Sequence, residues 1–155
     1  MKLTTRSRYG TRMLLDIAMH GSEQPVSIKD IAQRQGISVK YLEKLIRVLR
    51  KAGYITSTLG AHGGYQLAHK AEDIPVGDVV YALEEMEAPV ECDEENPCCP
   101  RMAVCLTRTI WGEAAKAMYR KLNTFTLADL MRDASLCPKN ACNISPHATH
   151  GTLCA

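Results

Sequence analysis

The sequence predicts a mainly α-helical chain with one small β-hairpin, and three observations carry that fold class. Apolar residues recur at helical spacing in several separate stretches. Two of the helices so marked are joined by only a few residues. A glycine-rich tip between two short strand-like segments follows them directly.

Tyr9, Met13 and Ile17 recur every four residues with Leu14 and Ala18 beside them, so one apolar stripe runs along a first helix ending near His20-Gly21. Ser27 precedes Ile28, Ile31 and Ala32 and has Asp30 three residues on, an N-cap arrangement for a short second helix that Gly36 stops. Ser38 opens a third helix with the stripe Leu42, Leu45, Ile46 and Leu49. Gly53 closes it after Arg50 and Lys51, whose charges suit the negative end of the helix dipole.

The second and third helices are separated only by Gln35-Gly36-Ile37, the length used in helix-turn-helix units. Tyr54-Ile55-Thr56-Ser57, the tip from Leu59 to Gly64, and Tyr65-Gln66-Leu67-Ala68 then read as a hairpin. In that position a hairpin is a wing. The expected architecture is a winged helix-turn-helix domain plus a long dimerisation helix.

A further helix is predicted over 76–86, with Val79, Val80 and Leu83 as its buried side. Residues 87–105 then change to loop chemistry, with three prolines, four cysteines and a run of carboxylates. Ile110, Trp111, Ala114, Met118 and Leu122 mark a long helix, and Thr126 with Asp129 caps a last one through Leu127, Leu130 and Met131. From Ser135 the chain is polar and reads as a mobile tail. The long helix has too little chain left to cover its stripe, so pairing with a second copy is expected, a homodimer matching a pseudo-palindromic operator.

At 155 residues, with 46% hydrophobic and 23% charged, the composition is that of a globular domain. No apolar run is long enough for a membrane span or a secretory leader, so a cytoplasmic protein with no membrane partner is expected. Residues 1–75 carry 12 Lys/Arg against 6 Asp/Glu, while 76–155 carry 7 against 11. A basic front half fits contact with a polyanion. No paired catalytic carboxylates, phosphate-cradling loop or nucleophile triad emerges, so no enzyme is expected.

If the third helix enters the major groove of double-stranded DNA, Ser38, Lys40, Tyr41, Glu43 and Lys44 lie off its apolar stripe to meet base edges, and Arg47, Arg50 and Lys51 face phosphates. A carboxylate costs affinity near phosphate unless it accepts from a cytosine amino group, which makes Glu43 a discriminator. Gly60, Gly63 and Gly64 allow close approach of the wing backbone to the minor groove, with His62 beside them. A plain solvated helix face and a plain hairpin turn are the competing readings of these two features.

Seven cysteines in a reducing compartment point to metal or redox chemistry more than to disulfides. Cys92, Cys98, Cys99 and Cys105 fall within fourteen residues. Structural zinc usually takes a tight Cys-x2-4-Cys pair, which is missing there, whereas wider spacing suits an iron–sulfur cluster. A thiol switch competes, although Glu91, Asp93, Glu94 and Glu95 disfavour thiolate formation. The tail holds Cys137, Cys142, His147, His150 and Cys154, and a metal-carrier role through them is a further alternative.

Several stretches together carry a family likeness. They are Met1-Lys2-Leu3-Thr4 with Arg8-Tyr9, Ile31-Ala32 with Gly36-Ile37-Ser38, Tyr41-Leu42-Glu43, Leu49 to Gly53, Gly63-Gly64-Tyr65, and Cys105-Leu106-Thr107 with Trp111. In this order over nearly all of 1–132, the chain resembles the Rrf2 family of bacterial regulators, which includes iron–sulfur members.

The resemblance implies a dimer with crossed long helices, a recognition helix and wing on each subunit, and a cluster loop ahead of the long helix. It implies Cys92, Cys98 and Cys105 as ligands of an iron–sulfur cluster, with 2Fe-2S favoured over 4Fe-4S. One branch adds a histidine three residues after the third cysteine, where this chain has Arg108. Another takes an aspartate from the partner's first helix, where this chain has Arg8. Cys99, a tail cysteine or a non-protein ligand remain for the fourth position.

The chain therefore divides into 1–86, a DNA-binding domain; 87–105, a cluster-binding loop; 106–134, a dimerisation helix and C-terminal helix; and 135–155, a flexible tail. The expected function is a transcription regulator whose DNA affinity responds to the cluster. A cluster-free thiol-redox repressor of the same fold is the alternative.

Overall fold

The computed structural model describes residues 3–60, 63–84 and 105–135. Its first helix, α1 (Thr5–His20), buries Met13, Leu14 and Ile17 completely, the stripe that the sequence spacing predicts. Each such side chain withdrawn from water stabilises the fold by roughly 1.5–3 kcal/mol. Around α1 pack α2 (Ile28–Gln35), α3 (Val39–Lys51) and α4 (Val76–Leu83), with Ile31, Leu42, Leu49 and Leu83 fully buried against it. Gly10 makes the approach to α4 possible, since a Cβ there would lie 2.5 Å from both methyl carbons of Leu83.

The caps follow the sequence. Ser27 Oγ accepts from the Asp30 amide at 3.2 Å, and Ser38 Oγ from the Tyr41 amide at 3.4 Å. Gly36, at φ 65°, ends α2 in the left-handed conformation. Gly53, at φ 82°, does the same after α3. There the Tyr54 amide returns to the Leu49 carbonyl at 2.9 Å and the Gly53 amide to Arg50 at 3.1 Å, a Schellman closure.

That closure moves the hairpin by one residue from the sequence expectation. The Tyr54 amide is used by the helix end, so β1 begins at Ile55 and runs Ile55–Thr58, antiparallel to β2 (Gly64–Leu67), with Ile55 opposite Leu67 and Thr58 opposite Gly64. Val26 adds a bridge on the other edge, exchanging two bonds of 2.9 Å with Tyr65.

A short 3₁₀ turn, Ala71–Asp73, leads into α4; the spacing of apolar residues gave no sign of it. Predicted helix 76–86 is seen through Leu83, and residues 85–86 lie outside the described residues. α5 (Arg108–Leu122) crosses α4, where Tyr81 and Tyr119 meet edge to face at 5.4 Å and Asn123 bonds both the amide and the carboxylate of Asp78. α6 (Leu127–Ser135) returns to α1 behind a reciprocal cap: the Asp129 amide donates to Thr126 Oγ1, and the Thr126 amide to Asp129 Oδ2 at 2.7 Å.

Candidate nucleic-acid interface

The apolar stripe of α3 (Leu42, Leu45, Ile46, Leu49) is buried, which turns Lys40, Glu43, Lys44, Arg47, Arg50 and Lys51 to solvent. Helical spacing puts Lys40, Glu43, Lys44, Arg47 and Lys51 along one side of the helix. Ser38, the N-cap, is also exposed at the leading end. An exposed helix face with four cations and one carboxylate, ahead of a hairpin, has the charge and dimensions to lie in a major groove.

Tyr41 departs from the sequence reading, which put it among the fully outward residues. Its ring is half-buried, edge-on to Tyr9 at 6.1 Å, and its hydroxyl lies 3.3 Å from Thr5 Oγ1. An aromatic ring off the main stripe still finds a partner when a neighbouring helix offers one.

The end of α2 is tied to α1 by polar contacts absent from the sequence reading. Asp16, only 3% exposed, takes Arg34 Nη2 at 2.6 Å, Arg34 Nε at 3.0 and 3.2 Å, and Gln35 Nε2 at 2.8 Å. Arg12, lying over the Tyr9 ring, donates to the Gln35 side chain and to its carbonyl, a group the end of α2 leaves unsatisfied. The hydrogen bond to Asp16 raises the Arg34 guanidinium above its ordinary value against the opposing effect of burial. The available signal was a carboxylate placed between Met13 and Ile17, since a charge on a buried stripe requires a partner.

Gly60 and Gly63 flank the wing tip, and the Gly63 amide bonds to the Gly60 carbonyl at 3.0 Å. Leu59 beside them is 95% exposed. His62 lies outside the described residues, as do Cys92, Cys98 and Cys99 and the whole tail from 136.

Cys105 is described. It is half-buried, three residues ahead of α5, with its Sγ 3.4 Å from Thr107 Oγ1 and its carbonyl accepting from the Arg108 amide. Downstream, Ala115 is the one buried residue of α5, while Leu106, Ile110 and Trp111 are 91%, 62% and 49% exposed. At the other side of the cysteine segment, the Glu84 carboxylate bonds Thr4 at the start of α1. Burial, then this carboxylate and Tyr81, push the Tyr119 phenol above its ordinary value. No helix among the described residues is long and apolar enough to cross a membrane.

The family model described as Rrf2, iron-dependent transcriptional regulator, matches residues 3–133. The chain is 42% identical over 133 residues to the HTH-type transcriptional regulator IscR of Vibrio atlanticus, covering 86% of this chain and 76% of that protein. The same regulator of Photobacterium profundum is also 42% identical, with coverage of 86% and 77%. Among solved structures, T. potens IscR superposes with a TM-score of 0.69 at 37% identity, covering 97% of this chain and 94% of the other. CymR, the global cysteine regulator of B. subtilis, gives 0.68 at 34% identity, covering 86% and 98%. With an exposed basic helix beside a hairpin and this likeness along nearly its whole length, the chain belongs to the Rrf2 family of DNA-binding transcriptional regulators.

Proposed function

We propose that this regulator is a cytoplasmic homodimer that binds a pseudo-palindromic operator, and that its affinity for the operator is set by an iron–sulfur cluster on Cys92, Cys98 and Cys105, with Cys99 as the fourth protein donor. The observation that carries the reading is the position of Cys105. It stands immediately ahead of a helix that leaves Ile110 and Trp111 uncovered, so whatever the cysteine segment holds acts at the base of the dimer helix.

The donor set fits the group in its chemistry. Four thiols within fourteen residues match thiolate ligation of a cluster. Arg108 and Arg8 cannot contribute, because a guanidinium has no lone pair to give; Cys99, a fourth thiol in the same segment, takes that place in this reading, with a tail cysteine or a non-protein ligand as the alternatives. The cluster would be 2Fe-2S. Loss, oxidation or nitrosylation of a cluster held there would act through the 92–105 segment, which leads into the long helix, and only a spacing of recognition helices that fits successive major grooves would bind tightly. Ser38, Lys40, Tyr41, Glu43 and Lys44 read bases in this arrangement; Arg47, Arg50 and Lys51 hold phosphates; Gly60, His62 and Gly63 approach the minor groove.

The test is iron and sulfide analysis of anaerobically purified protein, with operator binding compared before and after exposure to air or nitric oxide. Iron and sulfide in equal amounts, and an affinity that changes when they are lost, are expected. Protein that carries neither would overturn the reading.

One observation favours a second reading, a cluster-free thiol-redox repressor. The fold also matches the oxidized form of Staphylococcus aureus CymR, with a TM-score of 0.64 at 34% identity. Loss of bound iron in Cys98→Ser decides against it.

A further inference from the structure

Glu84 follows α4 directly and is the last described residue before the stretch that carries Cys92, Cys98 and Cys99. Its carboxylate accepts from the backbone amide of Thr4 at 3.0 Å and from the Thr4 hydroxyl at 2.9 and 3.0 Å. Thr4 is the N-cap of α1, and its hydroxyl oxygen accepts in turn from the Arg6 amide at 3.1 Å. A carboxylate in this place faces the positive end of the α1 dipole, and no acidic residue of the first turn of α1 itself supplies that charge.

The next contacts lead to the DNA-facing helix. Thr5 Oγ1 lies 3.3 Å from the Tyr41 hydroxyl, and one turn further Tyr9 packs edge-on against the Tyr41 ring. Tyr41 belongs to the first turn of α3, beside Ser38 and Lys40. A displacement of Glu84 therefore takes a contact from the start of α1, and Thr5 and Tyr9 of α1 are partners of Tyr41 in the leading turn of α3.

We infer that Glu84 is a positioning residue for DNA reading, which couples the cysteine-bearing segment to the first turn of α3 through Thr4, Thr5 and Tyr41. That the coupling responds to a cluster rests on the reading under Proposed function; that the two ends are mechanically joined does not. The experiment measures both ends of the relay.

In the full-length, cluster-free protein without DNA, hydrogen exchange is followed at residues 6–9 and 41–44. Glu84→Ala raises exchange in both segments, Thr5→Val raises it in the second alone, and Glu84→Gln, which keeps an acceptor, restores part of the protection. Glu84→Ala that affects only 6–9 overturns the relay. The second measurement is the ratio of operator Kd between cluster-loaded and cluster-free protein. Glu84→Ala brings this ratio toward unity with iron and sulfide content unchanged. A wild-type ratio that survives intact in Glu84→Ala overturns the coupling. A wild-type protein with no cluster defeats the cluster reading instead, and the exchange measurement then decides the relay by itself.

Discussion

Arg34 grips Asp16 with two of its nitrogens, at 2.6 to 3.2 Å, across the joint between α1 and α2. Removing the guanidinium leaves a nearly inaccessible carboxylate with the Gln35 amide at 2.8 Å and the His20 ring nitrogen at 3.7 Å as its side-chain partners. Breaking a buried pair in this way costs about 3–5 kcal/mol. Because the Arg34 side chain is 34% exposed, water screens part of that, and Arg34→Met is expected to lose about 2 kcal/mol in urea unfolding. Adding Asp16→Asn should recover much of the loss. An unfolding midpoint unchanged in Arg34→Met would show that the clamp is decorative.

Gly10→Ala tests the contact between α1 and α4. Alanine is the better helix former by about 1 kcal/mol, yet its methyl would stand 2.5 Å from two carbons of a fully buried leucine. Overpacking of this kind costs about 1–3 kcal/mol, so a net destabilisation is expected. The strain falls on Leu83, one residue from Glu84, so the same variant should also raise hydrogen exchange at the start of α1. Greater stability than the wild type would mean that the helices part without cost.

What the sequence makes legible here is local. The stripe of α1, the caps Ser27, Ser38 and Thr126, and the stops Gly36 and Gly53 each depend on residues within one or two turns, and each stands where its spacing indicates. Periodicity tells which side of a helix is covered and not what covers it. Tyr41 reads as outward because its partner, Tyr9, lies on another helix. Asp16 needs Arg34, and Thr4 needs Glu84, eighty positions away; neither pairing has a pattern in the chain. The candidate site divides the same way: the basic face of α3 follows from its stripe, whereas the cysteine spacing narrows the donors without arranging them.

The cap of α6 gives a pH dependence of known sign. The Thr126 backbone amide, then its hydroxyl, and the charge of Arg132 hold Asp129 below the ordinary carboxylate value of 3.8. A carboxyl with a depressed folded-state value stabilises fully above its unfolded value, and this contribution is lost as pH falls through the lower one. Thermal melts should show wild type above Asp129→Ala near neutral pH, with the gap closing in the acid range below about pH 4. A gap constant across that range would mean that the ionised form is not what caps the helix.

The uncovered side of α5 tests the dimer. Glutamate at both positions, Ile110→Glu with Trp111→Glu, places charges where two copies would bury apolar surface, and sedimentation should report a monomer. With one recognition helix per particle, operator affinity should fall by about two orders of magnitude or more, since the second half-site no longer binds intramolecularly. The monomer itself should melt near the wild-type temperature, as these two side chains contribute little to the core of one subunit. A dimer that persists would locate the interface elsewhere.

Glu43 and Arg47 lie one turn apart on the exposed side of α3, and opposite effects are expected from their removal. A cation at a phosphate contributes to every sequence alike, so Arg47→Ala should weaken operator and random DNA together and reduce the salt slope of binding by about 1. In the proposed major-groove placement Glu43 would repel phosphate throughout and gain only where a cytosine amino group donates to it. Glu43→Ala should therefore tighten binding to random DNA while the preference for the operator over a variant lacking that C·G pair shrinks by about 1–3 kcal/mol. The two variants separate affinity from discrimination on a single helix turn, and competition binding at two salt concentrations reads both. Equal losses on operator and random DNA in Glu43→Ala would remove Glu43 from the reading of bases and leave it as part of a solvated face.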